Sequence, residues 1–274
     1  MDAIRIRSRD ALVHDLRSLG VAPGDVLMVH ASLRRLGPVE GRAEGVVLGL
    51  DDAVGPEGTV MMVLGASNPW DWVNQRPEEE REELLADAEP FDCLTTPALG
   101  EVGVLAEELR RMPGTVVSDH PEGRFAARGR LAEALIRDVP WDDYYGPGSP
   151  LARFVAAGGK VLRLGADLET VTVLHYAEYL ADVPSKRRVR RHCRVKTASG
   201  ASVRVVDCLD DEHGIVDYEG PDYFGVILQE YLASGAARQG RVGSAVSELI
   251  DAEDLTSFAT RWLARHFGHG TPMG

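Results

Sequence analysis

The chain has 274 residues, 44% hydrophobic and 27% charged, the composition of a globular protein of one large domain or two small ones. Its 43 acids and 30 bases leave a net charge of −13, a field that repels nucleic acid and anionic membranes and attracts cations. No apolar run approaches the roughly 20 residues of a membrane span. The cysteines Cys93, Cys193 and Cys208 lack a C-x-x-C pair and point to a reducing compartment rather than a Cys-based zinc site. Met1–Arg5 lacks the apolar core of a signal peptide, so the expected location is cytoplasmic.

Ser8 reads as the N-cap of a helix carrying Leu12, Leu16 and Leu19 and stopping at Gly20. Val26–His30 is a buried strand, Ala31–Gly37 a loop with two arginines, and Val46, Val47, Leu50 and Val54 mark a second helix. Thr59–Leu64 is a second buried strand. This αβαβ opening argues for an α/β fold with a mainly parallel central sheet flanked by helices.

From residue 66 to 90 the character changes. Trp70, Asp71 and Trp72 precede the charged run Arg76–Glu83, and the segment reads as a lid-like insertion bearing a short exposed helix. The charge run by itself is what a solvated face looks like. Aromatics beside an acid suit a sugar or cation surface.

Phe91–Pro97 is turn-rich. A helix spans Gly103–Arg111, a loop follows Val117, and Ser149-Pro150 opens another helix with Pro in its first turn. Lys160–Leu164 is a strand, and Gly165 turns the chain toward a helix beginning near Thr172. Lys186–Arg191 is basic but has no RNA-binding motif beside it. Cys193–Val195 and Ser202–Leu209 pair as a hairpin, so residues 186–245 read as a small β-containing subdomain within a single 1–274 domain. Helices at Tyr223–Leu232 and Ala252–Phe267 complete the chain, with a turn or short strand at Arg241–Ala245.

His175 and Glu178 are three residues apart and share a helix face, with Val173, Ala177 and Leu180 as the anchoring face. The bland reading is a surface ion pair worth a few tenths of a kcal/mol. The chemical reading is a general base oriented by a carboxylate, placed where open α/β sheets build their sites. Walker A, G-x-G-x-x-G and H-E-x-x-H patterns are absent. Gly65-Ala66-Ser67-Asn68-Pro69 departs from the nucleophile elbow at its last position, and no second His–carboxylate helix completes a metal site. A His base suits deprotonation of an amine that attacks an acyl donor.

Several blocks, in order, carry a resemblance along most of the chain. They are His30-Ala31-Ser32-Leu33 with Gly37, Phe91-Asp92 with Thr96-Pro97, and Ser118-Asp119-His120-Pro121-Glu122. Gly146-x-x-Ser149-Pro150-Leu151, Leu164-Gly165-Ala166 and Thr172–Glu178 complete them. The chain resembles the aminoglycoside 3-N-acetyltransferase family, with the Trp70 region and Gly240–Gly243 most like its apramycin-associated branch.

The resemblance implies acetyl-CoA as cosubstrate, no metal, and N3-acetylation of 2-deoxystreptamine aminoglycosides, giving antibiotic resistance. It implies His175 as base and Glu178 as its partner, with His30 and His120 as further catalytic candidates. The stretch His30, Ala31, Ser32, Leu33, Arg34 and residues Ser118, Thr172 and Val173 would meet the cofactor. Asp71, Asp92, Glu122 and Glu178 would hold the drug's ammonium groups. The implied partners are these two small molecules, not nucleic acid or membrane, and a homodimer is one assembly to test. Rival readings are an acyltransferase for another primary amine and a non-catalytic drug binder.

Overall fold

A computed structural model describes residues 6–66 and 71–268. Helix α1 (Arg9–Leu19) is capped as expected: the Ser8 hydroxyl accepts from the Ala11 amide, and Gly20 closes it at φ 113°, where a side chain would be strained. Strand β1 (Val26–Ala31) follows. The stretch read as a loop contains one short helical turn, α2 (Leu33–Leu36). Helix α3 (Arg42–Val54) leads to β2 (Thr59–Val63), and after the insertion helix α4 (Glu78–Leu84) come α5 (Val104–Arg111), β3 (Val116–Val117) and β4 (Phe125–Gly129). Next are α6 (Ala132–Ile136), α7 (Pro150–Ala156), β5 (Lys160–Leu164) and α8 (Leu174–Leu180). The hairpin β6 (Arg188–Thr197) and β7 (Gly200–Leu209) precedes α9 (Tyr223–Ala233), β8 (Arg238–Val242), β9 (Ala245–Asp251) and α10 (Ala252–Phe267).

The fold is α/β, with one seven-stranded sheet in the order β3-β4-β2-β1-β5-β9-β8. Its centre, β2-β1-β5, is parallel as the αβαβ opening predicts. Both margins add antiparallel strands, two on each side. Strand β9 escaped sequence reading because it runs straight into α10 without a turn signal.

Alternation along the buried strands divides two cores. Val26, Met28, Met61, Val161 and Ile250 face α6–α10, whereas Leu27, Val29, Val60, Leu162 and Leu249 face α1, α3 and α5.

The 186–245 reading requires correction. Only the hairpin forms a separate two-stranded sheet, and β8 is an edge strand of the main one. The hairpin also buries Cys193, Val195, Val206 and Cys208 in the same core as α8 and α10. Helix α4 buries no residue, as its charge run predicts, and the insertion anchors on the hairpin through Val73, Leu85 and Ala88 against Val203. Among the described residues no helix is long and apolar enough to cross a membrane.

Candidate active site

Helix α8 begins just past the C-terminal end of β5, and its buried Leu174 and Ala177 fix it in the core. Leu180, expected on the anchoring face, is exposed instead, at the last position of the helix. His175 Nδ1 lies 2.8 Å from Glu178 Oε2. An ionised carboxylate only accepts, so Nδ1 carries the proton and Nε2 is left as the basic atom. Glu178 is 1% exposed, which removes the bland surface-pair reading. Its other oxygen accepts from the Tyr223 hydroxyl. The imidazole stacks on Tyr145 at 5.0 Å and 13°, and Phe224 meets it edgewise at 4.7 Å. Burial pushes the His175 pKa down, but the Glu178 hydrogen bond and charge, with the fields of Asp211 and Asp222, leave it raised overall.

His175 lines a cleft of about 720 Å³ at the C-terminal ends of the three parallel strands. Sheet order reverses there, since β1 is flanked by β2 on one side and β5 on the other. The cleft takes in His30–Arg34 after β1, Gly103–Ala106 at the start of α5, and Ala166–Thr172 after β5. The Ser32 hydroxyl makes no cap bond to α2, so it is available to a ligand. Arg34 is exposed on the rim, whereas Arg35 is occupied, bonding the Gly165 carbonyl and pairing with Asp167. Gly165 has φ +65°, and a Cβ there would sit 3.0 Å from the side chains of Arg35 and Ala245, so the turn beneath the cleft needs glycine. His30 is buried with Nε2 unpartnered; burial and the neighbouring Arg163 push its pKa down to about 3, so it is neutral.

A second pocket, of about 1040 Å³, adjoins the first and shares Leu99, Glu101 and Asp211 with it. Six acids line it: Glu89, Asp92, Glu101, Glu122, Asp211 and Glu212, against Arg191, Arg194 and Lys196. Asp211 accepts from the Tyr144 hydroxyl at 2.6 Å and pairs with Arg191 at 2.6 Å. Arg124, wholly buried, ties the wall together through the carbonyls of Gly65, Thr96 and Pro97. The arrangement is a cleft holding a carboxylate-bonded imidazole, joined to an acid-lined pocket through Leu99, Glu101 and Asp211.

A sequence profile described as Aminoglycoside 3-N-acetyltransferase matches residues 28–264. The chain belongs to that family. It is 40% identical over 268 residues to the aminoglycoside N(3)-acetyltransferase VII of Streptomyces paromomycinus, covering 95% of this chain and 93% of that one. The acetyltransferase AAC-IIIb, solved as a binary complex with CoASH, superposes with a TM-score of 0.91 at 41% identity, covering 98% of this chain and all of that one. AAC-VIa bound to sisomicin superposes at 0.87 with 35% identity, covering 96% and 99%. The enzyme class expected from the sequence, an acyltransferase, is thus the family's own.

Within this acetyltransferase the sequence-derived site residues separate into two groups. His30, Ala31, Ser32, Leu33, Arg34, Thr172 and His175 line the first cleft, and Asp92 and Glu122 line the acidic pocket. Asp92 is already engaged: Lys196 bonds its carboxylate at 2.7 Å and, with the Leu94 amide, holds its pKa down. Glu122 is buried and accepts from the Cys193 thiol.

His120, Ser118, Val173 and Glu178 line neither pocket; Glu178, expected to hold drug, is buried with both oxygens bonded to His175 and Tyr223. His120 Nδ1 accepts from the Glu122 and Gly123 amides, so its Nε2–H donates to the Trp141 carbonyl. With both nitrogens used and burial pushing its pKa down to about 4, it shapes the loop rather than moving protons. Ser118 closes the same loop, donating to the Gly123 carbonyl and accepting from the Phe125 amide. Val173 is wholly buried, because the helix starts two residues later than Thr172. Trp70 and the Asp71 side chain lie outside the described residues. Sequence reading missed Asp211, Tyr145, Tyr223 and Arg191. Only the Asp210-Asp211-Glu212 run carried a visible signal, an acidic cluster at the end of a hairpin.

Proposed function

We propose that the protein transfers an acetyl group from acetyl-CoA to the 3-amino group of a 2-deoxystreptamine aminoglycoside, with His175 as general base. The observation that carries this reading is the Glu178-bonded His175 lining a cleft that adjoins an acidic pocket through Leu99, Glu101 and Asp211. Relatives solved with CoASH and with sisomicin support the two substrate classes. The unused Ser32 hydroxyl and the exposed Arg34 suit a phosphate-bearing donor. Among the described residues no cluster of three or more His, Cys, Asp or Glu side chains is placed to hold a metal.

The amine nitrogen attacks the thioester carbonyl, the C–N bond forms and the C–S bond breaks. Nε2 of His175 takes the amine proton, Glu178 stabilises the imidazolium, and the proton passes on to the departing thiolate. The donor places this chemistry in the cytoplasm. The test is thiol release from acetyl-CoA across a panel of aminoglycosides, with the acetylated nitrogen located by NMR. Drug-dependent release with acetylation at N3 supports the reading, and no release with any drug overturns it. Release with a non-aminoglycoside amine alone would reassign the acceptor.

Two expected results arise here. Asp211→Asn should raise KM for the drug about ten-fold, the worth of roughly one charge-assisted hydrogen bond, with KM for acetyl-CoA nearly unchanged. An unchanged drug KM would take Asp211 out of the acceptor site. The second concerns pH. A raised His175 pKa means the imidazole holds its proton to a pH above its ordinary 6.5. The base form, and with it kcat/KM, should fall as pH drops through that raised value. Glu178→Gln removes the charge that raises it, so the acid limb should move to lower pH; a limb that stays in place would contradict the coupling.

A further inference from the structure

Glu178 has two oxygens and is almost completely buried. One meets His175; the other is held by a residue from a segment 45 positions away, Tyr223 at the start of α9. The Tyr223 hydroxyl is itself fixed, accepting from the buried Ile215 amide at 3.1 Å while it donates to Glu178. Gly214 lets the chain pass close to that hydroxyl: a Cβ at 214, where φ is +81°, would lie 2.8 Å from it. The same first turn of α9 brings Phe224 against the His175 ring, and Asp222 caps it by accepting from the Phe224 amide at 2.7 Å. One helical turn therefore grips both members of the pair.

We propose that Tyr223 is a positioning residue for the acetyl transfer: its hydroxyl holds the Glu178 carboxylate in the orientation, and with the division of charge between its oxygens, that His175 needs as a base. The inference rests on the general-base reading of His175 given above. A hydroxyl donating to one carboxylate oxygen draws negative charge away from the other. That help matters most when His175 is neutral, because Glu178 then carries its full charge in a dry site. The hydroxyl thus favours the neutral, proton-accepting imidazole. Other charges act on the pair from Asp211 in the segment after β7, from Asp222 on α9 and from Lys186 before β6, and the Tyr145 and Phe224 rings pack on the imidazole. Tyr223→Phe leaves all of these in place.

The experiment pairs Tyr223→Phe with replacement of Tyr223 by 3-fluorotyrosine, which keeps the hydroxyl and makes it a stronger donor. His175 is titrated by imidazole NMR in the free enzyme, and the pH profile of kcat/KM is measured beside it. Tyr223→Phe should raise the His175 pKa by about half a unit or more and move the acid limb up with it, with kcat/KM about three-fold or more lower below that limb. The KM values should hardly change. Fluorotyrosine should shift both in the opposite direction, which a packing role for the ring would not do. If the His175 titration stays put in both variants, the proposal fails. If the titration moves in opposite senses but the rate profile does not follow, Tyr223 does hold the pair and the general-base reading of His175 is the part that fails. Should the Phe variant not fold, the fluorotyrosine titration decides alone.

Discussion

His175→Ala is expected to lower kcat by about 10²–10⁴-fold, the range of a general base in proton transfer, while acetyl-CoA still binds. Two features of the site set the size of the loss. Among the described residues, His175 is the one histidine that faces the cleft proposed for the donor with a carboxylate on its Nδ1. The rival histidines offer no substitute: His120 spends both ring nitrogens on its loop, and His30 is neutral with a pKa pushed down to about 3. CoA affinity should survive, because the cleft proposed for the donor is lined mostly by His30–Arg34, the start of α5 and the turn after β5, with His175 the one residue of α8 on its wall. Steady-state kinetics with a clinical aminoglycoside, beside calorimetric titration with CoA, measures both. Turnover near that of the parent enzyme would show that the base has been assigned to the wrong residue.

Glu248→Ala is expected to destabilise the fold by about 3–5 kcal/mol, the cost of leaving a buried charge without its partner. Arg163 on β5 and Glu248 on β9 are direct cross-strand neighbours, bonded at 2.9 Å, and the arginine side chain is 2% exposed. The guanidinium also donates to the Ala166 carbonyl at 2.6 Å, tying the turn that floors the donor cleft. Removal of the carboxylate strands a cation in the centre of the sheet. Thermal unfolding should report a fall of roughly 10 °C for a chain of this size. The double substitution Arg163→Met with Glu248→Leu removes both charges and should recover most of the loss, because well-packed apolar residues replace a buried pair at little cost. A melting temperature unchanged in Glu248→Ala would mean that water reaches the pair and the burial argument fails.

Much of the site was legible because its signals are local. His175 and Glu178 are separated by one helical turn, so their contact follows from the period of the helix. The His30–Arg34 stretch ends a strand that reads as buried, which already puts it at the rim of a parallel sheet. Signals failed where a residue's role depends on distant chain. His120 and Ser118 look functional in sequence, yet a tight loop consumes all their hydrogen-bonding capacity. Tyr223 looks ordinary and Asp211 shows only as part of an acidic run, yet each is brought to the pair or its pocket by segments far along the chain. Hydrogen-bond competition and long-range packing are invisible to spacing.

Sequence alone determined the αβαβ opening, the caps at Ser8 and Gly20, the helix opening at Ser149-Pro150, the parallel centre of the sheet and the His175–Glu178 pair. These rest on short-range rules of capping, periodicity and helical neighbours. Tertiary structure alone decided the rest. It added antiparallel strands to both margins of the sheet, because strand partners are chosen by where each apolar face finds a core. It buried Glu178 and braced it with Tyr223, turning a pair that could have lain in solvent into one whose charge must be satisfied by protein. It also set an acidic pocket beside the donor cleft, by folding the hairpin and its 210–215 tail back over the loops after β2 and β3. The proposed chemistry depends on that meeting of distant segments, which brings His175, its cleft and the acidic pocket within reach of one another.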